Sequence, residues 1–472
     1  MIGKLACATW VVGVLAAATR TVGQREPGLP GAAPVPLVEP YSAPSTPPIR
    51  VGRLYIGRGR GSIAPDPLVH PVPLGGYGDR AGRPATGVRD PVEARALWLT
   101  LGEEPVVLVS CDLCFIPSGL KDRVRSALAA EGVALEPAQL VLAATHTHAG
   151  PEPMAMHAAN RFANPRLGVR DETLEAAFIR GVVAAVRESR AIMPAEVSLA
   201  RVSAEGLVEN RRGADCREEG AWFLRFRRPA GALLAVAWGW TAHPTLLGPD
   251  AMELSAGWPG AVNRRLEAEM SGEEGALALF FNGAQGDQRP RGAEGQDGWE
   301  RMADYAAKVW DRLRPLLRAE EGPGIGPWEN RPALAVRHGW IELPARRAHP
   351  SFLEIAGQEY GVESPAAAAM VEALFPRRCE IGWCRIGGLG LVAFPGEALC
   401  SVGRDLREAA AAPDLRVAAV AGLANDYIGY VLPAAEYEAG GYEATASFYG
   451  PQLAGAMVEG LRRITAATEP GE

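Results

Sequence analysis

Apolar residues in this chain fall into short unbroken runs, separated by longer stretches in which they recur every three or four positions. The runs at 106–110, 140–144, 233–241, 277–281, 390–394 and 417–422 read as strands buried on both faces, and 197–202 and 222–226 as further short strands. Helical spacing predicts helices over 118–130, with Ser118 as N-cap, and over 172–188, 258–269, 299–317, 398–411 and 452–465. In the 299–317 segment Trp299, Met302, Tyr305, Val309, Trp310 and Leu313 form one core-facing stripe, so its aromatics are read as packing residues. Strands and helices alternate along most of the length. The expected fold class is therefore α/β, a mixed β-sheet domain with flanking helices. Polar residues that follow its strands should gather at a sheet edge, where ligands bind in open α/β sheets.

The two ends read differently. A single lysine precedes an apolar run from Leu5 to Ala18. Residues 1–22 are thus expected to be a signal-peptide-like segment and the protein secreted or periplasmic. Residues 23–49 are proline-rich without hydrophobic period, an extended linker, and 50–472 is the expected folded domain. The N-terminal run is too short for a comfortable membrane span, and no other stretch is long and apolar enough to cross a bilayer.

The formal net charge is -7 with scattered basic residues, which excludes an electrostatic grip on nucleic acid. Seven cysteines, an odd number for this length, do not describe a disulfide framework. Cys111 and Cys114 form a C-x-x-C without a second such pair, and read as small core residues. The glycine-rich turn Gly75-Gly76-Tyr77-Gly78 lets backbone approach a ligand, but no strand feeds a phosphate-binding helix from it. No signal sets an oligomeric state.

The candidate chemistry centres on Thr145-His146-Thr147-His148-Ala149-Gly150-Pro151, directly after the 140–144 strand. Residues two apart on extended backbone share a face, so His146 and His148 can enter one cleft as two ligands, or as one ligand and one acid/base. His243 and Glu397 also follow buried strands, at long separations. Nitrogen and oxygen donors on rigid supports suit a catalytic zinc, which activates water at neutral pH and polarises a carbonyl. A histidine before proline, as in His243-Pro244, also serves as a hydrogen-bonded structural residue. Neither an H-x-H-x-D-H motif nor an H-x-H on a first barrel strand fits, since Ala149-Gly150-Pro151 follow the pair and a strand-helix unit precedes it.

In order, the chain carries Gly75-Gly76-Tyr77-Gly78, the 145–151 motif, Asn210-Arg211, Ala242-His243-Pro244, Asn282 to Asp287, Pro395-Gly396-Glu397 and a tyrosine-rich C-terminal stretch. As a set these resemble the catalytic domain of the neutral/alkaline non-lysosomal ceramidases. The resemblance implies Zn2+ held by His146, His243, Glu397 and Tyr430, with His148 as acid/base. It also implies that Arg211 meets a substrate oxygen or product carboxylate and that Tyr442 donates to the oxyanion. The implied substrate is a small molecule or lipid, ceramide or a related N-acyl lipid, reached through peripheral membrane contact.

Two departures stand out. The family's loop serine is replaced by Arg289, which cannot be a nucleophile because its guanidinium stays protonated. Arg289 is read instead as holding an anionic group of a substrate. The expected fold is also without the C-terminal immunoglobulin-like domain that the family carries. The rival expectations are a non-catalytic zinc or lipid binder, and a hydrolase of a different ester or amide.

Overall fold

The computed structural model describes residues 48–229, 231–270, 275–354 and 364–466. The predicted 1–22 segment lies outside them, as does the predicted linker apart from its last two residues.

Three mixed sheets form the body. The first has the strand order Leu140–Ala144, Val106–Cys111, Glu93–Thr100, Tyr55–Ser62, Met193–Pro194. The second runs Leu277–Asn282, Leu233–Trp240, Gly220–Arg227, Glu196–Ser203. The third runs Arg50–Val51, Ala333–Glu342, Arg378–Ile386, Leu389–Ala393, Val417–Ala421. Each contains one parallel pair, in the registers Val107↔Leu140, Ala235↔Leu277 and Leu389↔Val417, and is otherwise antiparallel.

The inner faces of the three sheets share one apolar centre. Leu108 and Val141 come from the first, Leu224 and Phe281 from the second, and Leu391 and Ala421 from the third. Helices cover the outer faces: Leu120–Ala130 and Glu172–Glu188 on the first, Gly257–Glu269 and Gly298–Leu317 on the second, Cys400–Ala410 and Leu453–Ala466 on the third. Covered on both faces, the central strands carry continuous apolar runs instead of alternation. The stripe on Gly298–Leu317 is core, with Tyr305 packed edge-on to Trp258 and its hydroxyl accepting from Trp240 Nε1 at 3.0 Å.

The C-terminal ends of the parallel pairs point the same way and are laced together. Ala144 N–H donates to Leu423 O at 3.1 Å, Asn425 N–H to Leu142 O at 2.7 Å, and Gly422 N–H to Asn282 O at 2.8 Å. The loops after all three pairs therefore meet over one point, an arrangement known from ligand sites in open α/β sheets.

Several elements depart from the sequence reading. Tyr55–Ser62 is a strand whose pattern is hidden by Gly57, Gly59 and Gly61. A Cβ at these positions would lie 1.8, 2.1 and 2.2 Å from the carbonyls of Ser189, Ala185 and Gly181, so the helix Glu172–Glu188 rests on bare strand backbone. Ser118 is not an N-cap. Gly119, with φ 74°, occupies that position, and Ser118 Oγ donates instead to Asp426 Oδ1 at 2.5 Å. The helix expected over 398–411 begins at Cys400, because Glu397–Ala398 pair as a parallel bridge with Tyr430–Val431.

A disulfide joins Cys216 to Cys400, with a Cα–Cα distance of 6.0 Å across 184 residues. One disulfide among six described cysteines leaves the reading of no disulfide framework in place, and adds a pairing that the sequence did not show. Cys111, Cys114, Cys379 and Cys384 are buried thiols. No described helix is long and apolar enough to cross a membrane.

Candidate metal centre

The 140–144 strand delivers His146 through a kink, not along extended backbone. His146 adopts φ 68°, a left-handed conformation rare for residues with a side chain, and its N–H donates to Leu113 O at 3.0 Å. Both imidazoles still enter one pocket, their Nε2 atoms 3.4 Å apart. The shared face that alternation would provide is supplied by a turn.

His243 follows the strand Leu233–Trp240 and is tied to the loop after Leu277–Asn282. Its N–H donates to Gln288 O at 3.0 Å. Glu397 and Tyr430 are direct partners in the 397–398/430–431 bridge, which brings Tyr430 beside the second sheet's His243. His243 Nε2 lies 3.0 Å from Glu397 Oε2 and 3.1 Å from Tyr430 Oη, and His146 Nε2 lies 3.3 Å from the same Oε2. All three of His146, His243 and Glu397 are buried, and their ligand atoms lie within 4.8 Å of one another.

The donor set fits a metal. His146 Nδ1 faces Cys114 O at 2.6 Å and His243 Nδ1 faces Gln285 O at 2.7 Å. A carbonyl accepts only, so each Nδ1 carries the proton and each Nε2 can present its lone pair inward. Metal-binding histidines are held in this way by their outer partners. Tyr427 Oη donates to Glu397 Oε1 at 2.8 Å, leaving Oε2 as the inward ligand atom. Two nitrogens and a carboxylate oxygen match the ligand chemistry of zinc, and Tyr430 Oη stands beside them.

Charge follows from the same contacts. Burial alone would raise the Glu397 carboxyl, but His146 and His243 outweigh it and hold it well below its usual value. Burial alone would lower His146, yet Glu397 and Cys114 raise it well above 6.5, so in the metal-free protein a proton takes the place of a cation. Burial and then Arg211 lower His243 to about 4. His148 is driven well below 6.5 by burial and by His146 and His243. Tyr430 is raised by burial and by Glu397, with Arg211 opposing.

Arg211 spans the site. Its Nε donates to Glu443 Oε1 at 2.7 Å, and its Nη2 to Gly286 O at 2.7 Å and Tyr430 Oη at 3.1 Å. Its guanidinium lies 5.2 Å from the ring centroid of half-buried Tyr442, which stands 5.7 Å from Tyr430. A cleft of about 1040 Å³ opens here, with Tyr77, Pro249, Arg211 and Tyr442 among its lining residues. Arg289 also lines this cleft. It is not at the metal centre: its side chain is 56% exposed and its Nε donates to Glu209 Oε1 at 2.5 Å.

Sequence reasoning passed over four supports. Tyr427 holds Glu397. Asp287 accepts from Asn210 Nδ2 at 2.7 Å and Cys400 N–H at 2.9 Å, while its carbonyl accepts from Arg211 N–H, so it joins the segments carrying Arg211 and Glu397. The Cys216–Cys400 disulfide ties the same two segments covalently. Arg80 donates to the carbonyls of Gly75, His148, Gly248, Pro249 and Ala251. The glycine-rich turn lies against His148, where a Cβ on Gly76 would meet the ring at 2.5 Å. Asp287 and that turn already stood among the sequence motifs, but without these contacts.

Comparison with known proteins gives two results. The sequence model of the neutral/alkaline non-lysosomal ceramidase N-terminal domain matches residues 55–214 and 365–459. The fold is similar to that of the neutral ceramidase from Pseudomonas aeruginosa, with a TM-score of 0.74 at 20% identity over 88% of this chain and 74% of that one. A ceramidase complexed with C2 matches equally, with TM-score 0.74 and 20% identity over 88% of this chain and 75% of that one.

Proposed function

The chain belongs to the neutral/alkaline non-lysosomal ceramidase family, and on that premise we propose that it is a zinc-dependent hydrolase cleaving the amide bond of ceramide or a related N-acyl compound. The observation that carries the zinc reading is the convergence of His146 Nε2, His243 Nε2 and Glu397 Oε2, with each imidazole's other nitrogen committed to a backbone carbonyl. Tyr430 completes the set.

Zinc, when bound, supplies Lewis acidity that polarises a carbonyl and activates water near neutral pH. The chain's own residues do the rest. His148, neutral at pH 7 and with Nε2 beside His146, takes the proton from water and returns it to the leaving amine. Arg211, fixed by Glu443 and Gly286, orients Tyr430 and presents a cation to the carbonyl oxygen. Tyr442 donates its hydroxyl to the oxyanion. With arginine at position 289, water is the nucleophile. The absence of a serine there also supports the rival reading, a binder that retains the pocket without turnover.

Fatty-acid release from ceramide and N-acyl amino acids, with zinc and with chelator, separates the two. Chelator-sensitive release that is lost in His146→Ala and His243→Ala supports the hydrolase. Full activity in either variant would sink it, and tight ligand binding without product from zinc-loaded protein would favour the binder.

Export belongs to the same proposal. The Cys216–Cys400 disulfide supports it, because such bonds persist in oxidising compartments. An intact N-terminus on protein recovered from the cytoplasm would contradict it.

A further inference from the structure

The cleft lined by Arg211 and Tyr442 is poorly made for alkyl chains. Among its described lining residues there is no leucine, isoleucine, valine, methionine, phenylalanine or tryptophan; its apolar surface comes from Tyr77, Tyr442, Pro249, alanines and glycines. An apolar cavity does exist on the far side of Tyr427, walled by Phe115, Met154, Leu374 and Phe448, but it measures about 40 Å³. That is room for a few waters. Tyr427 stands between it and Glu397, stacked on Phe115 at 4.0 Å with its hydroxyl on the carboxylate. Among the described residues, long chains thus find little apolar lining in the cleft itself.

The cleft's charge points elsewhere. Three arginines and two glutamates line it, in a chain whose formal net charge is -7. Arg211 and Arg212 are engaged. Arg212 donates to Glu436 at 2.9 Å, Glu443 at 2.7 Å and Gly440 O at 3.1 Å. Arg289 differs: Nε meets Glu209, while neither terminal nitrogen has a partner among the described residues. A guanidinium with both Nη groups open is a fork suited to a compact anion.

We propose that Arg289 is a specificity-determining residue that binds a compact anionic group, a carboxylate or its sulfonate or phosphate counterpart, on an N-acyl substrate of the N-acyl amino acid class. This rests on the reading of the site as an amide hydrolase. The reaction is then hydrolysis alone. The water oxygen bonds to the acyl carbon, the C–N bond breaks, and the proton passes to the amine, giving a carboxylic acid and an amine that keeps the anion.

The test pairs binding with turnover on zinc-loaded protein. Calorimetry compares short-chain N-acyl glycine, N-acyl taurine and the uncharged N-acyl ethanolamine of equal chain length, in wild type, Arg289→Ala and Glu209→Gln. The glycine or taurine conjugate should bind wild type at least tenfold more tightly than the ethanolamide. Arg289→Ala should remove that preference, and Glu209→Gln, which frees Arg289 from its partner, should raise it several-fold. Equal binding of charged and uncharged probes, or a preference that survives Arg289→Ala, overturns the proposal. Hydrolysis of the same probes tells the two readings apart. Charge-selective binding without cleavage refutes the amide hydrolase and leaves the anion site standing, whereas cleavage indifferent to charge refutes the anion site alone.

Discussion

His243 Nε2 and Glu397 Oε2 lie 3.0 Å apart although 154 residues separate them in the chain. The contact joins the second sheet to the third, and His146, 3.3 Å from the same oxygen, adds the first. A site assembled from three sheets in this way has its protonation set by the assembly, and its expected behaviour follows from that.

Metal affinity should rise with pH. His146 holds a proton because Glu397 raises its pKa well above 6.5, and a metal must displace that proton; His243, lowered to about 4, has already lost its own. Apparent affinity should climb about tenfold per pH unit and flatten once pH passes the His146 pKa. Chelator competition from acid to alkaline pH measures it. A profile that is flat, or that falls with pH, would show that His146 is neutral in the metal-free protein.

Tyr427→Phe should weaken metal binding while the fold is kept. The ring still stacks on Phe115, but Glu397 Oε1 loses its donor at 2.8 Å. Losing such an outer partner lowers metal affinity about 10- to 100-fold. Metal titration together with thermal unfolding of the metal-free protein checks both halves, and unchanged affinity would assign Tyr427 to packing alone.

Arg80 should prove both structural and functional. Its guanidinium, lowered to about 10 by burial, is shared among five carbonyls, including His148 O at 2.6 Å. Arg80→Met leaves those acceptors without a donor and should cost about 3 kcal/mol or more in urea unfolding. Arg80→Lys restores at most three donors. It should recover part of the stability, with kcat reduced more than KM changes because His148 is displaced. Wild-type kcat in a folded Arg80→Lys would remove the link to His148.

Reducing the Cys216–Cys400 bond should destabilise the protein. A closed loop of 184 residues corresponds to about 5 kcal/mol in the chain-entropy account, and measured effects are typically about 2–4 kcal/mol. The bond joins the Arg211 segment to the Glu397 segment, so activity should fall at reductant levels that leave the far-UV signal intact. Coincident loss of both signals would make the bond purely a stability element.

How far these features were legible before folding differs from residue to residue. Strands 106–111, 140–144 and 277–282 were readable because burial on both faces leaves an unbroken apolar run. The helix Glu172–Glu188 was readable from its spacing. His146, His243 and Glu397 stood out because each follows such a strand, and the order of motifs carried the family resemblance and, with it, Tyr430. Those are local properties: they depend on a residue's neighbours in the chain.

The rest was decided by packing. The Tyr55–Ser62 strand is written in glycines because a helix lies against its backbone, which no periodicity records. The Cys216–Cys400 pairing, the Tyr427–Glu397 contact and the contact of Arg80 with His148 all join distant parts of the chain, and each exists only in the folded protein. Arg289 was marked by its residue type, but its place on the cleft wall, with two nitrogens open, comes from the pairing of 288–290 with 208–210. Hydrophobic pattern specifies elements because burial acts on each residue separately, whereas a binding site requires particular atoms from distant segments at hydrogen-bond range, and only the tertiary structure sets those distances.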